Sequence, residues 1–289
     1  MRQFIIDRRK IKIPANPPLA FAMKVLQRAK HVGCDEIVSI GGGSTIDVGK
    51  FVAFHLGVKH TAIPTTAGTG SEVTKFAVFV DNGKKVSLEN DKLIPDKVIM
   101  DPKLTLTLSP EQTAASGLDA LSQAIESHWS PSANQISQNY SFMAISLAMN
   151  NLFKSYSEPK NLEWRKLMML AANFSGRAIN ITRTSICHAI SYPLTIRYGI
   201  PHGIACAITL PLFLEYYKIK SFHINNSECY ITSFDVSMLL VNLGINISEI
   251  LKDVDLEFVA TEALKVKRSK NVPYPISKKK LIKLLKSYA

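Results

Sequence analysis

The stretch EIVSIGGGSTIDVGK, residues 36–50, decides the fold. A short β-branched run, three glycines and an immediate helical pattern read as strand, tight turn and helix, the unit from which parallel α/β sheets are built. Glycines let a backbone approach a ligand closely, and a helix N-terminus offers unpaired N–H groups at the positive end of its dipole. The stretch therefore suits a pyrophosphate cradle or a purely structural turn. Ser44 and Asp47 also stand at a capping-box-like spacing, which would fix the helix start without a ligand. A Walker A loop is excluded, because GxxxxGK[ST] would need glycine at 44 and Ser or Thr at 51, where the chain has Ser44 and Phe51. The GxGxxG fingerprint is absent as well.

Working outward, the first hundred or so residues alternate short apolar runs with helical patterns. TAI (61–63), FAVFV (76–80) and KVIM (97–100) join EIVSI (36–40) as strand candidates, with helices near 19–30 and 45–56. After Pro110 the texture becomes helical, as in EQTAASGLDALSQAIESHW (111–129) and SFMAISLAMNNLFKSY (141–156). The expected fold is an α/β N-terminal Rossmann-like parallel sheet domain over 1–108, followed by an all-α metal-binding and substrate domain over 109–289.

Composition narrows the class. At 289 residues with 46% hydrophobic and 20% charged, the chain can bury two cores and is not a disordered one. The net charge of +12 suggests nucleic acid until it is located: nine Lys or Arg and no acid follow from Lys265 onward. SKKKLIKLLKSY (277–288) carries an apolar stripe opposite its lysines and lacks interleaved aromatics, so a packed terminal helix is expected, with no nucleic-acid and no membrane partner. AITLPLFLEYY (207–217) is too short to span a bilayer, and the N-terminus shows no signal-peptide pattern, so a cytoplasmic protein is expected. Cys34, Cys187, Cys206 and Cys229 form no CxxC pair and are expected reduced and buried.

A second loop, PTTAGTGSE (64–72), gathers hydroxyls and glycine amides at the end of the next strand candidate. It suits phosphate or an amide ring, or a structural turn; two such loops at neighbouring strand ends fit ligand binding far better than either alone. In the helical region, Asp119 and Gln123 of GLDALSQAIE lie one turn apart on one face. An acid in an Ala and Leu pattern is costly to bury unless paired or bound to a cation. With His188 and His202, they offer a carboxylate oxygen, an amide oxygen and two imidazole nitrogens, a four-ligand set for a divalent metal; each residue taken singly also fits an ordinary packing role.

These residues resemble the iron-containing (group III) alcohol dehydrogenase family, within a larger group that includes dehydroquinate synthases. GGGSTIDVGK (41–50), PTTAGTGSEVT (64–74), DPKLTLTLSP (101–110), GLDALSQAIE (117–126) and HAISYPLTIRYGIPHG (188–203) are similar to five family motifs in the family's order. The resemblance implies NAD(H) or NADP(H) bound by Gly42, Gly43, Ser44, Asp47, Thr65, Thr66, Thr69, Ser71 and Lys85. It implies Fe(II), with Zn(II) as the other candidate, on Asp119, Gln123, His188 and His202, and a catalytic pair of Tyr192 and His202. Most members carry histidine where this chain has Gln123, and many carry another where it has Tyr192.

The combination of motifs resembles the branch containing phosphonoacetaldehyde reductases. It implies an oxidoreductase of a small anionic aldehyde, in phosphonate metabolism, with Arg183 and Arg197 as cationic substrate contacts. A homodimer is the family expectation. Members usually carry a further βαβ portion ahead of the strand leading to GGGS, so the N-terminus is expected to be shortened, while NVPYPISKKKLIKLLKS (271–287) resembles the family's C-terminal end. The alternatives are a dehydroquinate synthase-like lyase and a truncated metal-binding remnant without turnover.

Overall fold

The computed structural model describes residues 2–224 and 227–288. The first half is built on β1 (Gln3–Asp7), α1 (Leu19–Val32), β2 (Glu36–Gly41), α2 (Gly43–Leu56), β3 (Lys59–Pro64), β4 (Phe76–Asp81), β5 (Lys84–Glu89) and β6 (Lys97–Val98). Four of these strands make a parallel sheet in the order β1-β2-β3-β6. Ile5 pairs with Val38 and Val38 with Thr61, so β2 runs centrally and delivers Gly41 to the sheet's carboxyl end. Ala22, Val25, Leu26 and Ala29 of α1 share one buried core with Val48, Phe51 and Val52 of α2 and with Ile6 and Ile37 of the sheet.

Two expectations for this half change. FAVFV is a strand, but β4 pairs antiparallel with β5 in a separate hairpin and not with the parallel sheet. The cause is local: Asn82 and Gly83 take φ of 48° and 73° in a two-residue turn, the conformation that Asn-Gly favours between twisted strands. The hairpin is tied to the segment before α1 through Val80, whose N–H donates to Pro17 O at 2.9 Å. KVIM shrinks to a two-residue strand, Lys97–Val98. QFIID supplies an edge strand that the sequence reading did not assign.

The second half is helical: α3 (Pro110–Trp129), α4 (Gln135–Ser157), α5 (Leu162–Thr182), α6 (Ile186–Tyr198), α7 (His202–Ala207) and α8 (Leu210–Tyr216). A short hairpin, β7 (Ser221–Ile224) and β8 (Ser227–Tyr230), precedes α9 (Ser233–Asn242), α10 (Ile247–Leu251), α11 (Leu256–Lys265) and α12 (Lys278–Tyr288). Ser109 and Gln112 close a capping box that starts α3 after Pro110 removes one orphan N–H. Leu118, Leu121 and Ile125 of α3 are fully buried, each stabilising by roughly 1.5–3 kcal/mol. The helix is enclosed on nearly every side, so its polar residues must be explained. In α12, Leu281 and Leu285 are buried with the lysines outward, the packed terminal helix the pattern predicts. No described helix is long and apolar enough to cross a membrane.

Candidate functional site

A cleft of about 1240 Å³ opens where the two halves meet. One wall is the N-terminus of α2, where Gly42, Gly43 and Ser44 line the space beside Thr66, Thr69 and Ser71. A Cβ on Gly43 would stand 2.7 Å from the Thr69 side chain, so the two loops touch and form one surface. Their free amides and hydroxyls suit a phosphate-bearing ligand at a helix N-terminus. Thr65 lies off the lining; its N–H extends the β3 ladder to Gly41 O at 3.0 Å.

Asp47 lines the same wall and ties it together. Its carboxylate accepts from Ser71 Oγ at 2.6 Å and from Val78 N–H at 3.0 Å, tying α2 to the threonine loop and to β4. Burial raises its pKa above the usual carboxylate value against the pull of Lys50. Lys50 is equally buried and donates to Thr74 Oγ1 at 3.0 Å and Phe76 O at 2.7 Å, with its pKa pushed down to about 8 by burial. Asp47, expected as a cofactor contact, also acts as a latch between loops.

The opposite wall carries the metal candidates. Asp119, His188, His202 and Cys206 each offer one donor atom, all within 4.8 Å of one another. His188 Nε2 lies 3.3 Å from Asp119 Oδ1, and both buried atoms lack a hydrogen-bond partner. Two buried polar atoms without a partner are costly unless a ligand completes them, so the residues fit a cation. Close backbone packing brings them together: a Cβ on Gly203 would fall 1.8 Å from Ala115 O, so only glycine lets α7 press His202 against α3.

Glu126 orients the set. Its carboxylate, fully buried, accepts from Ser185 N–H at 2.9 Å, Cys187 N–H at 2.6 Å and His188 N–H at 3.3 Å, capping α6 in place of a side-chain N-cap. The same carboxylate takes the His188 Nδ1 proton at 2.5 Å, which turns Nε2 toward Asp119. Ser191 Oγ spends its proton on His188 O, so its 3.2 Å contact with His202 Nδ1 makes that nitrogen the donor and frees His202 Nε2. Burial opposes charge on His188, but Cys206, Glu126 and Asp119 outweigh it and raise its pKa well above 6.5. Burial, with Lys85 and His188 adding repulsion, lowers that of His202.

Gln123 lies beside this set, yet its amide is engaged elsewhere. Its Nε2 donates to Thr69 O at 3.3 Å, and its Oε1 lies 3.0 Å from Ser175 Oγ, whose single proton also has Ala172 O at 2.9 Å. The structure thus places Gln123 on the cleft lining between α5 and the threonine loop, beside Asp119 and His188.

Tyr192 closes the cleft above His202, with ring centroids 6.3 Å apart. Lys85 Nζ sits 4.7 Å over one face and the Arg268 guanidinium lies 4.9 Å from the same ring. Burial raises the Tyr192 pKa, and burial by the cleft walls lowers that of Lys85 to about 8. Lys85 therefore lies near the metal candidates as well as the nucleotide loops. Arg183 lines the cleft but is ion-paired to Glu89, with a shortest contact of 2.6 Å. Arg197 is off the cleft, stacked 4.2 Å from Phe258 because α6 turns that face toward α11, which corrects its assignment as a substrate contact.

Three site residues escaped the sequence reading. Glu126 stands seven residues after Asp119 on the same face, and Cys206 four after His202, both visible as helical spacings. Arg268 lay within a basic run taken as a solvated face, and nothing local distinguishes it.

Residues 10–102 match the family described as "Iron-containing alcohol dehydrogenase", and residues 113–230 match "Fe-containing alcohol dehydrogenase family, C-terminal". The chain is 34% identical over 230 residues to a phosphonoacetaldehyde reductase of Streptomyces viridochromogenes, covering 70% of this chain and 58% of that protein. It is 32% identical to a sulfoacetaldehyde reductase of Bilophila wadsworthia, covering 72% of this chain and 58% of that protein. The chain thus spans under two thirds of these relatives. Among solved structures, the sulfoacetaldehyde reductase of Bifidobacterium kashiwanohense in complex with NAD+ superposes with a TM-score of 0.84 at 28% identity, covering 96% of this chain and 82% of that one.

Proposed function

Because the chain belongs to the iron-containing alcohol dehydrogenase family, we propose that it is a metal-dependent, NAD(P)H-linked reductase of a small anionic aldehyde. The observation that carries the reading is the pair of buried, unpartnered atoms, Asp119 Oδ1 and His188 Nε2, facing a cleft whose other wall is the glycine and threonine loops. Asp119, His188 and His202 would hold a divalent cation able to polarise a carbonyl oxygen, while the loops would hold a nicotinamide dinucleotide able to give a hydride.

The protein's own groups supply the rest. Glu126 fixes the His188 tautomer. Tyr192, its pKa raised by burial, keeps the Oη proton at neutral pH and can hand it toward the developing alcohol. Lys85 and Arg268, on the Tyr192 ring, give the substrate end of the cleft a cationic wall suited to a phosphonate or sulfonate. Two relatives are named for aldehydes of that kind. Phosphonoacetaldehyde, reduced to 2-hydroxyethylphosphonate, is the specific substrate proposed, in the cytoplasm and by a homodimer.

The test is NADH and NADPH oxidation by the chain loaded with Fe(II) or Zn(II), given phosphonoacetaldehyde, sulfoacetaldehyde or propanal. Charge-assisted contacts stabilise by about 1.5–3 kcal/mol, so at least about tenfold higher kcat/KM is expected for the anionic aldehydes. Nicotinamide fluorescence that does not change on adding the folded, metal-loaded chain would overturn the reading and leave a metal-binding remnant.

A further inference from the structure

We propose that Cys206 is a metal ligand of this chain, and that the site is consequently a mixed nitrogen, oxygen and sulfur site selective for Zn(II) over Fe(II). The inference rests on the metal reading above.

Cys206 is fully buried one turn after His202 on α7, which places its thiol behind that imidazole. Its Sγ stands 3.9 Å from both His202 ring nitrogens. Zinc bonds of ~2.3 Å to sulfur and ~2.0 Å to nitrogen or oxygen at tetrahedral angles put sulfur roughly 3.5 Å from nitrogen, and nitrogen roughly 3.3 Å from oxygen. The Sγ spacing is within a few tenths of the first value, and the His188 to Asp119 spacing of 3.3 Å meets the second. The independent sign that a ligand belongs here is the pair of unpartnered atoms on Asp119 and His188, both more than nine-tenths buried.

Gln123 offers a poorer donor. Its amide oxygen is neutral, and its Nε2 is tied to Thr69 O. A thiolate adds charge and softness to the two imidazoles and one carboxylate, and soft sulfur donors favour zinc over iron(II). Binding then proceeds with loss to solvent of the thiol proton and of the proton on His188 Nε2, so the set carries two negative charges against the dication.

Cobalt(II) replaces zinc in such sites and reports its ligands optically, because a cobalt-bound thiolate gives an intense near-ultraviolet charge-transfer band. The full chain is titrated with Co(II), alongside Cys206→Ala, Gln123→Ala and Cys187→Ala, with folding checked by circular dichroism. The expected result is one equivalent of cobalt with the band in the wild type, in Gln123→Ala and in Cys187→Ala, and loss of the band in Cys206→Ala. Zinc affinity in Cys206→Ala should fall by at least about tenfold, since even outer-shell changes cost that much. Stoichiometric cobalt without the band in the wild type, or a band that vanishes in Cys187→Ala, overturns the proposal whether or not Cys206→Ala folds. A band without aldehyde turnover would keep this ligand assignment and sink the reductase reading; turnover without a band would do the reverse.

Discussion

Asp47 and Asp119 are both buried acids on helices that border the cleft, and they are used in opposite ways. Asp47 has a partner on each oxygen, Ser71 and Val78, whereas Asp119 Oδ1 has none. At the nucleotide end, the first half spends Asp47 and Lys50 on holding loops together and offers a ligand backbone amides and hydroxyls. The second half holds its donors rigid through Glu126 and leaves their inner atoms to be completed. A motif acid therefore marks an organised site without saying which atom meets the ligand.

The largest expected effect comes from removing the brace of the second half. Glu126→Ala strands three N–H groups and the His188 ring, so denaturant unfolding should show a loss of about 3–5 kcal/mol, as for other broken buried pairs. A loss under 1 kcal/mol would break the contrast between the halves.

Two glycines sharpen it next. Gly203→Ala drives a Cβ into the backbone of α3, where nothing can rotate aside, and should cost up to about 3 kcal/mol together with metal affinity. Gly43→Ala meets only the Thr69 side chain, so stability should fall by under about 1 kcal/mol while NADH affinity drops, read by nicotinamide fluorescence. Equal melting temperatures for the two variants would contradict the account.

The parallel fold and most of the cleft were legible in the sequence because glycine turns, capping residues and helical spacing are local signals. EIVSIGGGSTIDVGK gave strand, turn and helix within two residues of the observed bounds. The β4–β5 hairpin carried a signal in Asn82-Gly83 that the sequence reading passed over, because its β-branched strands resemble those of a parallel sheet. What was hidden depends on contacts distant in sequence. His60 and His188 are both buried; His60 meets Ser39 at 2.7 Å and burial pushes its pKa to about 3, while His188 is held between two acids. No spacing separates the two. Arg197 and Arg268 are likewise distinguished only by which helix face meets the cleft.

The smallest expected effect is electrostatic and lies at the join. Lys85, with a pKa near 8, is charged below that value and neutral above it, so its attraction for an anionic aldehyde is present at pH 7 and fades as pH rises through 8. KM for phosphonoacetaldehyde should rise a few-fold between about pH 7 and 9, and this rise should disappear in Lys85→Met. A neutral aldehyde should show no such slope.

The most direct test of the central contrast is metal content after equilibrium dialysis of the wild type, Asp47→Asn and Asp119→Asn against zinc. One equivalent should remain in the wild type and in Asp47→Asn, which should be less stable by about 1–3 kcal/mol. Asp119→Asn should keep its metal-free stability and lose its metal. Equal retention by all three chains, or loss in Asp47→Asn with retention in Asp119→Asn, would contradict the account.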